Sequence, residues 1–543
     1  MDMYCLKKKP FCLTEGEIDQ VEKTLAAMTT EEKAGQLFCV LGDAETPEGL
    51  QELVEQYGVA GVLFRPGPRE EIREKYAGLD AYAKIPLLKA ANLEEGGAGV
   101  LSDGTYFGSQ LQVAAANDLS CTEAFAAVCA REGREVGVNW TFSPVVDIDM
   151  NWRNPITNVR TFGSDTEKVL ENARVFVRTI QKYGVAAACK HFPGDGVDFR
   201  DQHLHPTYND LPAAEWYDTY GRIYQTLIDE GLMSVMVGHI VQPYVIREIN
   251  PEAELLPGSQ SKEMLTGVLR ERFGFNGLII TDATIMGGYT MTMPRREAIP
   301  HSIMAGYDML CFGTDIREDI SWILEAIADG RLAQERLDEA VTRVLALKAV
   351  LNRTYPVPDV DAKKEQRRCA EQAVTLVKDN QNLIPVRPEC FPQIRLVTLG
   401  QDATYDGSLT ELAADFLTNR GFVVERYNPL EDDLHGTRNL PADRLTLILC
   451  NMPAASNQTA VRIQWCEKHA LEIPRFVKEE ACAFISFANP YHLQDIPRVP
   501  TCINAYTATA ATVAAALEKL IGEGNFTGVS PVDPFCGLYD THL

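Results

Sequence analysis

Residues 185–192 read VAAACKHF, five apolar residues ended by Lys190 and His191. A run this short, preceded by Gly184 and followed by PGDG, has the form of a strand buried on both faces. The form returns at GLIITDA (277–283), where Asp282 closes the run. Six further runs share it: QLFCVL (36–41), VAGVLF (59–64), PLLKAAN (86–92), NWTFSPVVD (139–147), LMSVMVGHI (232–240) and DMLCFG (308–313). Between them lie stretches with helical apolar spacing, such as TEKVLENARVFVRTIQKYG (166–184) and SKEMLTGVLRERFG (261–274). Eight strand-and-helix units predict an α/β fold, a (β/α)8 TIM-like barrel over residues 1–351. A doubly wound open sheet is the alternative with the same local pattern.

A proline-marked stretch, NRTYPVPDVDAKKEQRR (352–368), then reads as a linker, followed by a helix over CAEQAVTLVKDN (369–380). Further alternation follows in RLVTLG (395–400), LTELAADFLTNRG (409–421), FVVERY (422–427), LTLILCN (445–451), CAFISFANP (482–490), CINAY (502–506) and the Ala-rich 507–524. The expectation is a smaller α/β sandwich domain over 369–543.

The formal net charge of −25 would repel nucleic acid and anionic membrane surfaces. No stretch of about 20 apolar residues is present to span a bilayer. The N-terminus, MDMYCLKKKPFCLTEGEID, lacks the apolar run of a secretory signal, and the fourteen cysteines show neither paired nor CxxC spacing. Buried reduced thiols, a cytoplasmic location and no structural zinc or other cofactor are therefore expected. The quaternary state is left open, a homodimer included.

Polar residues close the apolar runs: Asn92 and Glu94, Asp147, Lys190 and His191, His239, Asp282. In a TIM barrel these ends open on one face, where active sites are built. The segment KHFPGDGVDFRDQHLHP (190–206) adds a loop in which Asp201 and His203 are two apart. On extended chain both then project to one side and can pair, the carboxylate fixing the imidazole for proton transfer near neutral pH. His203 and His205 also form an HxH pair that could ligate a metal with Asp282 and His239, although such pairs in barrel metallohydrolases sit on the first strand. Asp282 could attack an anomeric carbon as an ionised carboxylate, or merely cap a helix.

The segments MTTEEKAGQLF (28–38), GVAGVLF (58–64), NLEEGG (92–97), NWTFSPVVDIDMNWRNPITNVRTFGSD (139–165), KHFPGDG with DQH (190–203), VMVGHI (235–240), GLIITDA (277–283) and AGYDMLCFG (305–313) together resemble glycoside hydrolase family 3. The KHFPG segment with its DxH loop is similar to the β-N-acetylglucosaminidase branch. The resemblance implies Asp282 as nucleophile, His203 as acid/base and Asp201 as its partner. It also implies Lys190, His191 and Arg160 as sugar ligands, with Asn92, Asp147 and His239 around them at the strand ends. Two positions depart from the family's pattern. Asp195 replaces a frequent histidine, which should alter a loop contact only, and Asn92 replaces a frequent sugar-binding aspartate, which bears on preference among sugars.

These readings point to a retaining, exo-acting enzyme that removes terminal β-linked N-acetylglucosamine from muropeptides, chitooligosaccharides or glycoconjugates. Within the same family, β-glucosidase or β-xylosidase activity and β-N-acetylglucosaminide phosphorolysis are the alternatives. A sugar-binding protein without catalysis is disfavoured by the intact Asp282, Asp201 and His203.

Overall fold

The structure is a computed structural model that describes residues 3–433, 441–475 and 477–543, and it divides into two compact units. The first comprises residues 1–105, 126–148 and 169–360.

Each of the eight apolar runs holds one strand of this unit. They are β1 (Phe38–Leu41), β2 (Gly61–Leu63), β3 (Leu88–Ala91), β4 (Trp140–Thr141), β5 (Ala186–Phe192), β6 (Ser234–Val237), β7 (Leu278–Ala283) and β8 (Met309–Cys311). Every strand pairs in parallel with the next in sequence, and β8 closes on β1. The open-sheet alternative is thereby excluded. Closure leaves no edge strand, so all the backbone donors and acceptors of these apolar segments can pair.

Parallel neighbours need crossovers, and the helix Arg69–Tyr82 between β2 and β3 shows how one is anchored. It buries Ile72, Tyr76 and Leu79, spaced by four and three along one face. Burying Ile72 and Leu79 stabilises the unit by roughly 1.5–3 kcal/mol each. The Tyr76 hydroxyl donates to the Ala90 carbonyl of β3 at 3.1 Å. Inside the barrel, the indole N–H of Trp140 donates to Ser234 Oγ at 2.8 Å, so the largest interior side chain leaves no unsatisfied donor. The segment expected as a helix at 261–274 is wound as a π-helix over Glu263–Arg272.

The second unit comprises residues 106–125, 149–168 and 361–543, and so draws in two segments from within the chain span of the barrel. Its six-stranded sheet contains β9 (Thr375–Asp379), β10 (Gln393–Gly400), β11 (Val423–Arg426), β12 (Arg444–Asn451), β13 (Ala481–Ser486) and β14 (Thr501–Asn504). The order is β9-β14-β13-β12-β10-β11, parallel throughout except for β9 against β14. Alternate residues of β12 feed opposite faces. Leu445, Leu447 and Leu449 join one core with the helices Leu409–Thr418 and Ala510–Leu520, while Ile448 and Cys450 join another.

One expected element is corrected here. Residues 369–380 are not a single helix: the helix starts earlier, at Ala362 within the expected linker, and stops at Ala373, after which Thr375–Asp379 is a strand. The β-branched Val374, Thr375 and Val377 favour the extended state, and an antiparallel partner in β14 satisfies it.

Candidate active site

The site is built on the open face of the barrel, from the ends of β3, β5, β6 and β7 and the loop after β5. Asp282 is the fifth residue of β7, at the point where the strand's burial gives way, and its side chain is 15% exposed. It is not a helix cap, since the next helix, Gly287–Thr290, is preceded by Met286. Burial alone would raise the Asp282 pKa, but the electrostatic pull of His191, His239, His203 and Lys190 outweighs it and lowers the pKa to about 2. The carboxylate is therefore ionised at any working pH.

His191 Nε2 lies 3.7 Å from Asp282 Oδ2. Its ring is held from behind by Asp147. Asp147 Oδ2 accepts from His191 Nδ1 at 2.7 Å, and Oδ1 accepts from the backbone N–H groups of His191 and Asp195 at 3.0 and 2.8 Å. Asp147 is fully buried, so it orients His191 rather than facing the opening. Lys190, also buried, donates to Asn92 Oδ1 at 3.3 Å and pairs with Glu94 Oε1 at 2.5 Å.

The loop after β5 carries the second half. Asp201 is buried and its Oδ1 accepts from His203 Nδ1 at 2.7 Å and from the His203 backbone N–H at 2.8 Å. The imidazole is 23% exposed, with Nε2 left for a ligand. The loop is stitched to the segment after Asp282, because Gly287 N–H donates to the His203 carbonyl at 2.8 Å and Gly288 N–H to that of Gln202 at 3.1 Å. His203 and Asp282 are thus brought to one rim of the barrel from two different units of the repeat.

His239 is fully buried below that rim. Its Nε2–H donates to the Ala283 carbonyl at 3.1 Å and Nδ1 accepts from Ser259 Oγ at 2.9 Å, which fixes the neutral tautomer. Burial lowers its pKa to about 4, against the opposing pull of Asp282. Both ring nitrogens are spent on protein, so His239 supports the loop after β7 from inside. Arg160, expected as a sugar ligand, belongs to the second unit. Among the described residues no group of three or more His, Cys, Asp or Glu side chains is arranged to hold a metal ion, and no helix is long and apolar enough to cross a membrane. His205 Nδ1 lies 3.0 Å from the Pro206 carbonyl.

Asp195, whose side chain was expected to change only a loop contact, accepts from Gln202 Nε2 at 3.1 Å. Glu94 was expected at a strand end on the active-site face but without a role of its own, and Gln202 was not expected there. The signal for Glu94 was its place two residues beyond Asn92 on the same strand end, whereas a glutamine in a polar loop carries no such signal.

Comparison with known proteins bears on this arrangement. The family model described as the glycosyl hydrolase family 3 N-terminal domain matches residues 29–347. A protein of Cellulomonas fimi named beta-N-acetylglucosaminidase/beta-glucosidase is 40% identical over 564 residues, spanning all of both chains. A solved structure of the beta-glucoside phosphorylase BglX bound to 2FGlc is 43% identical and covers 99% of this chain and 100% of its own, with a TM-score of 0.93. A beta-N-acetylglucosaminidase from Paenibacillus, 22% identical, covers 93% of this chain and 99% of its own and shares the fold with a TM-score of 0.78.

Proposed function

Because the chain belongs to glycosyl hydrolase family 3, we propose that it is a retaining, exo-acting β-glycosidase for terminal β-linked N-acetylglucosamine, with glucose as the second accepted sugar. The Asp282 carboxylate attacks the anomeric carbon as the bond to the aglycone oxygen breaks, and His203 Nε2 gives its proton to that oxygen. The sugar is then held as an ester of Asp282. His203, now neutral, takes a proton from the incoming acceptor, which displaces the ester with net retention. Lys190 and His191 hold the sugar hydroxyls, and charge-assisted hydrogen bonds from such groups orient a neutral sugar firmly.

The observation that carries the proposal is the stitching of the Asp201–His203 loop to the segment after Asp282, which presents an ionised nucleophile and an oriented imidazole on one rim. The acceptor is water or phosphate. Phosphate is favoured as a second reading by the full-length likeness to a β-glucoside phosphorylase. A histidine acid/base also repels an incoming phosphate less than a glutamate would. Fourteen cysteines suit a reducing compartment, and hence small scavenged fragments as substrates.

The test is a panel of aryl β-glycosides of N-acetylglucosamine, glucose, xylose and N-acetylgalactosamine, each with and without phosphate. Free sugar as product marks hydrolysis, and sugar 1-phosphate marks phosphorolysis. Asp282→Asn should abolish turnover while sugar binding persists; unchanged turnover would remove Asp282 from its role.

A further inference from the structure

Asp201 and His203 pair across a turn and not on extended chain: the Leu204 N–H donates to the Asp201 carbonyl at 3.1 Å, and one residue lies between the paired side chains. That residue is Gln202, which is fully buried. Its amide is used at both ends. Oε1 accepts from the His239 backbone N–H at 2.7 Å, and Nε2 donates to Asp195 Oδ2 at 3.1 Å. Its backbone carbonyl accepts from Gly288 N–H at 3.1 Å. One residue thereby joins the dyad loop to the end of β6, to the turn after β5 and to the segment after β7.

The fit around it is close enough to require glycine at three neighbouring positions. A Cβ on Gly238 would meet Gln202 Oε1 at 2.7 Å, and one on Gly288 would meet the Gln202 carbonyl oxygen at 2.5 Å and His239 Cβ at 2.6 Å. A Cβ on Gly287 would meet the Leu204 carbonyl oxygen at 2.2 Å. By contrast, the His203 ring itself is held lightly: among the described residues Asp201 is its one hydrogen-bond partner. Asp201 sits on the same loop, so the pair can be no better placed than the loop that bears it.

We infer that Gln202 is a positioning residue for proton transfer, a buried peg that keeps the Asp201–His203 pair over the glycosidic oxygen before any sugar arrives. The inference rests on the reading of His203 as acid/base. Losing the peg leaves nucleophilic attack by Asp282 intact but misplaces the proton donor. In forming the glycosyl ester, substrates whose leaving group needs a proton then suffer, while those with a strongly activated leaving group do not.

The experiment compares alkyl and 2,4-dinitrophenyl β-N-acetylglucosaminides, or the matching β-glucosides, on three variants. Gln202→Met keeps the side-chain length and removes both amide bonds. Gly288→Ala disturbs the same joint from the opposite loop. His203→Ala reports on the acid/base itself. For the first two, kcat/KM for the alkyl glycoside, which reports the steps up to the glycosyl ester, should fall about 10–100-fold while that for the dinitrophenyl glycoside, which doubles as the folding control, stays within about threefold. Equal losses on both substrates, or the wild-type ratio between them, would overturn the role of Gln202. If His203→Ala itself fails to separate the substrates, the acid/base reading falls and the peg with it. If His203→Ala separates them and Gln202→Met does not, only the peg falls.

Discussion

The barrel mouth holds two histidine–carboxylate pairs of the same bond length, and they differ in what surrounds them. His191–Asp147 lies between the ends of β5 and β4, with both side chains buried and the free ring nitrogen 3.7 Å from Asp282. His203–Asp201 lies on the loop after β5, with a buried acid and a partly exposed ring. A 2.7 Å contact therefore does not define a role. In the proposed mechanism the strand-borne pair serves the nucleophile and sugar, while the loop-borne pair meets the leaving group.

The sharpest way to break this division is Asp147→Asn. An asparagine cannot accept the three N–H groups that Asp147 accepts, so His191 loses its orientation beside Asp282. Turnover should drop on the order of 10²–10³-fold, as for loss of one preorganised donor, and equally for alkyl and dinitrophenyl glycosides. A loss confined to poor leaving groups would mean that the two pairs share one role. Asp201→Asn is the counterpart with a smaller, selective effect. Alkyl glycosides should slow on the order of 10–10²-fold and activated ones hardly at all, read as the dependence of kcat/KM on leaving-group pKa.

His239 supplies a third case, a histidine with no carboxylate at all. Its folded pKa of about 4 lies below the ordinary value near 6.5, so folding favours the neutral ring. Its contribution to stability is complete above pH 6.5 and is lost as the pH falls toward 4, by about 2–3 kcal/mol between pH 7 and 4.5. His492 in the second unit, lowered to about 4 by burial, follows the same sign, so the measurement must be a difference. In calorimetric or urea unfolding, His239→Gln should lose less stability than wild type over that interval. Parallel losses would place the His239 pKa near its ordinary value.

The barrel was legible because eight buried parallel strands leave eight short apolar runs, five of them with polar residues at their ends. Asp282 was legible for the same reason, as an acid at the end of GLIIT, and the Asp201–His203 pair through its spacing of two. Residues 369–380 misled because AEQAVTLV carries apolar positions that satisfy a helix as well as a strand, and only the partner β14 decides between them. Asp147, Lys190, His191 and His239 all read alike, as polar strand ends. Which of them faces a sugar and which braces a neighbour depends on side-chain direction and on residues far away in sequence, such as Ser259 behind His239 and Asp147 behind His191. Gln202 was invisible because its three partners come from three different loops.

The smallest effect tests whether the strand-borne side also sets sugar preference. Lys190 now bridges the neutral amide of Asn92 and the carboxylate of Glu94. Asn92→Asp would place a second carboxylate on the same ammonium, strengthening acceptance of a sugar hydroxyl's proton while weakening the cationic pull of Lys190 on Asp282. The two consequences oppose one another, so the expected change is only about two- to tenfold in kcat/KM, of the size seen for a single solvent-accessible polar contact. It should appear as a shift in the ratio between glucose, xylose and N-acetylglucosamine substrates, with their dependence on leaving group unaltered. A change in that dependence instead would mean that Asn92 acts on the loop-borne pair, and that the two histidine–carboxylate pairs are coupled through the sugar site rather than independent.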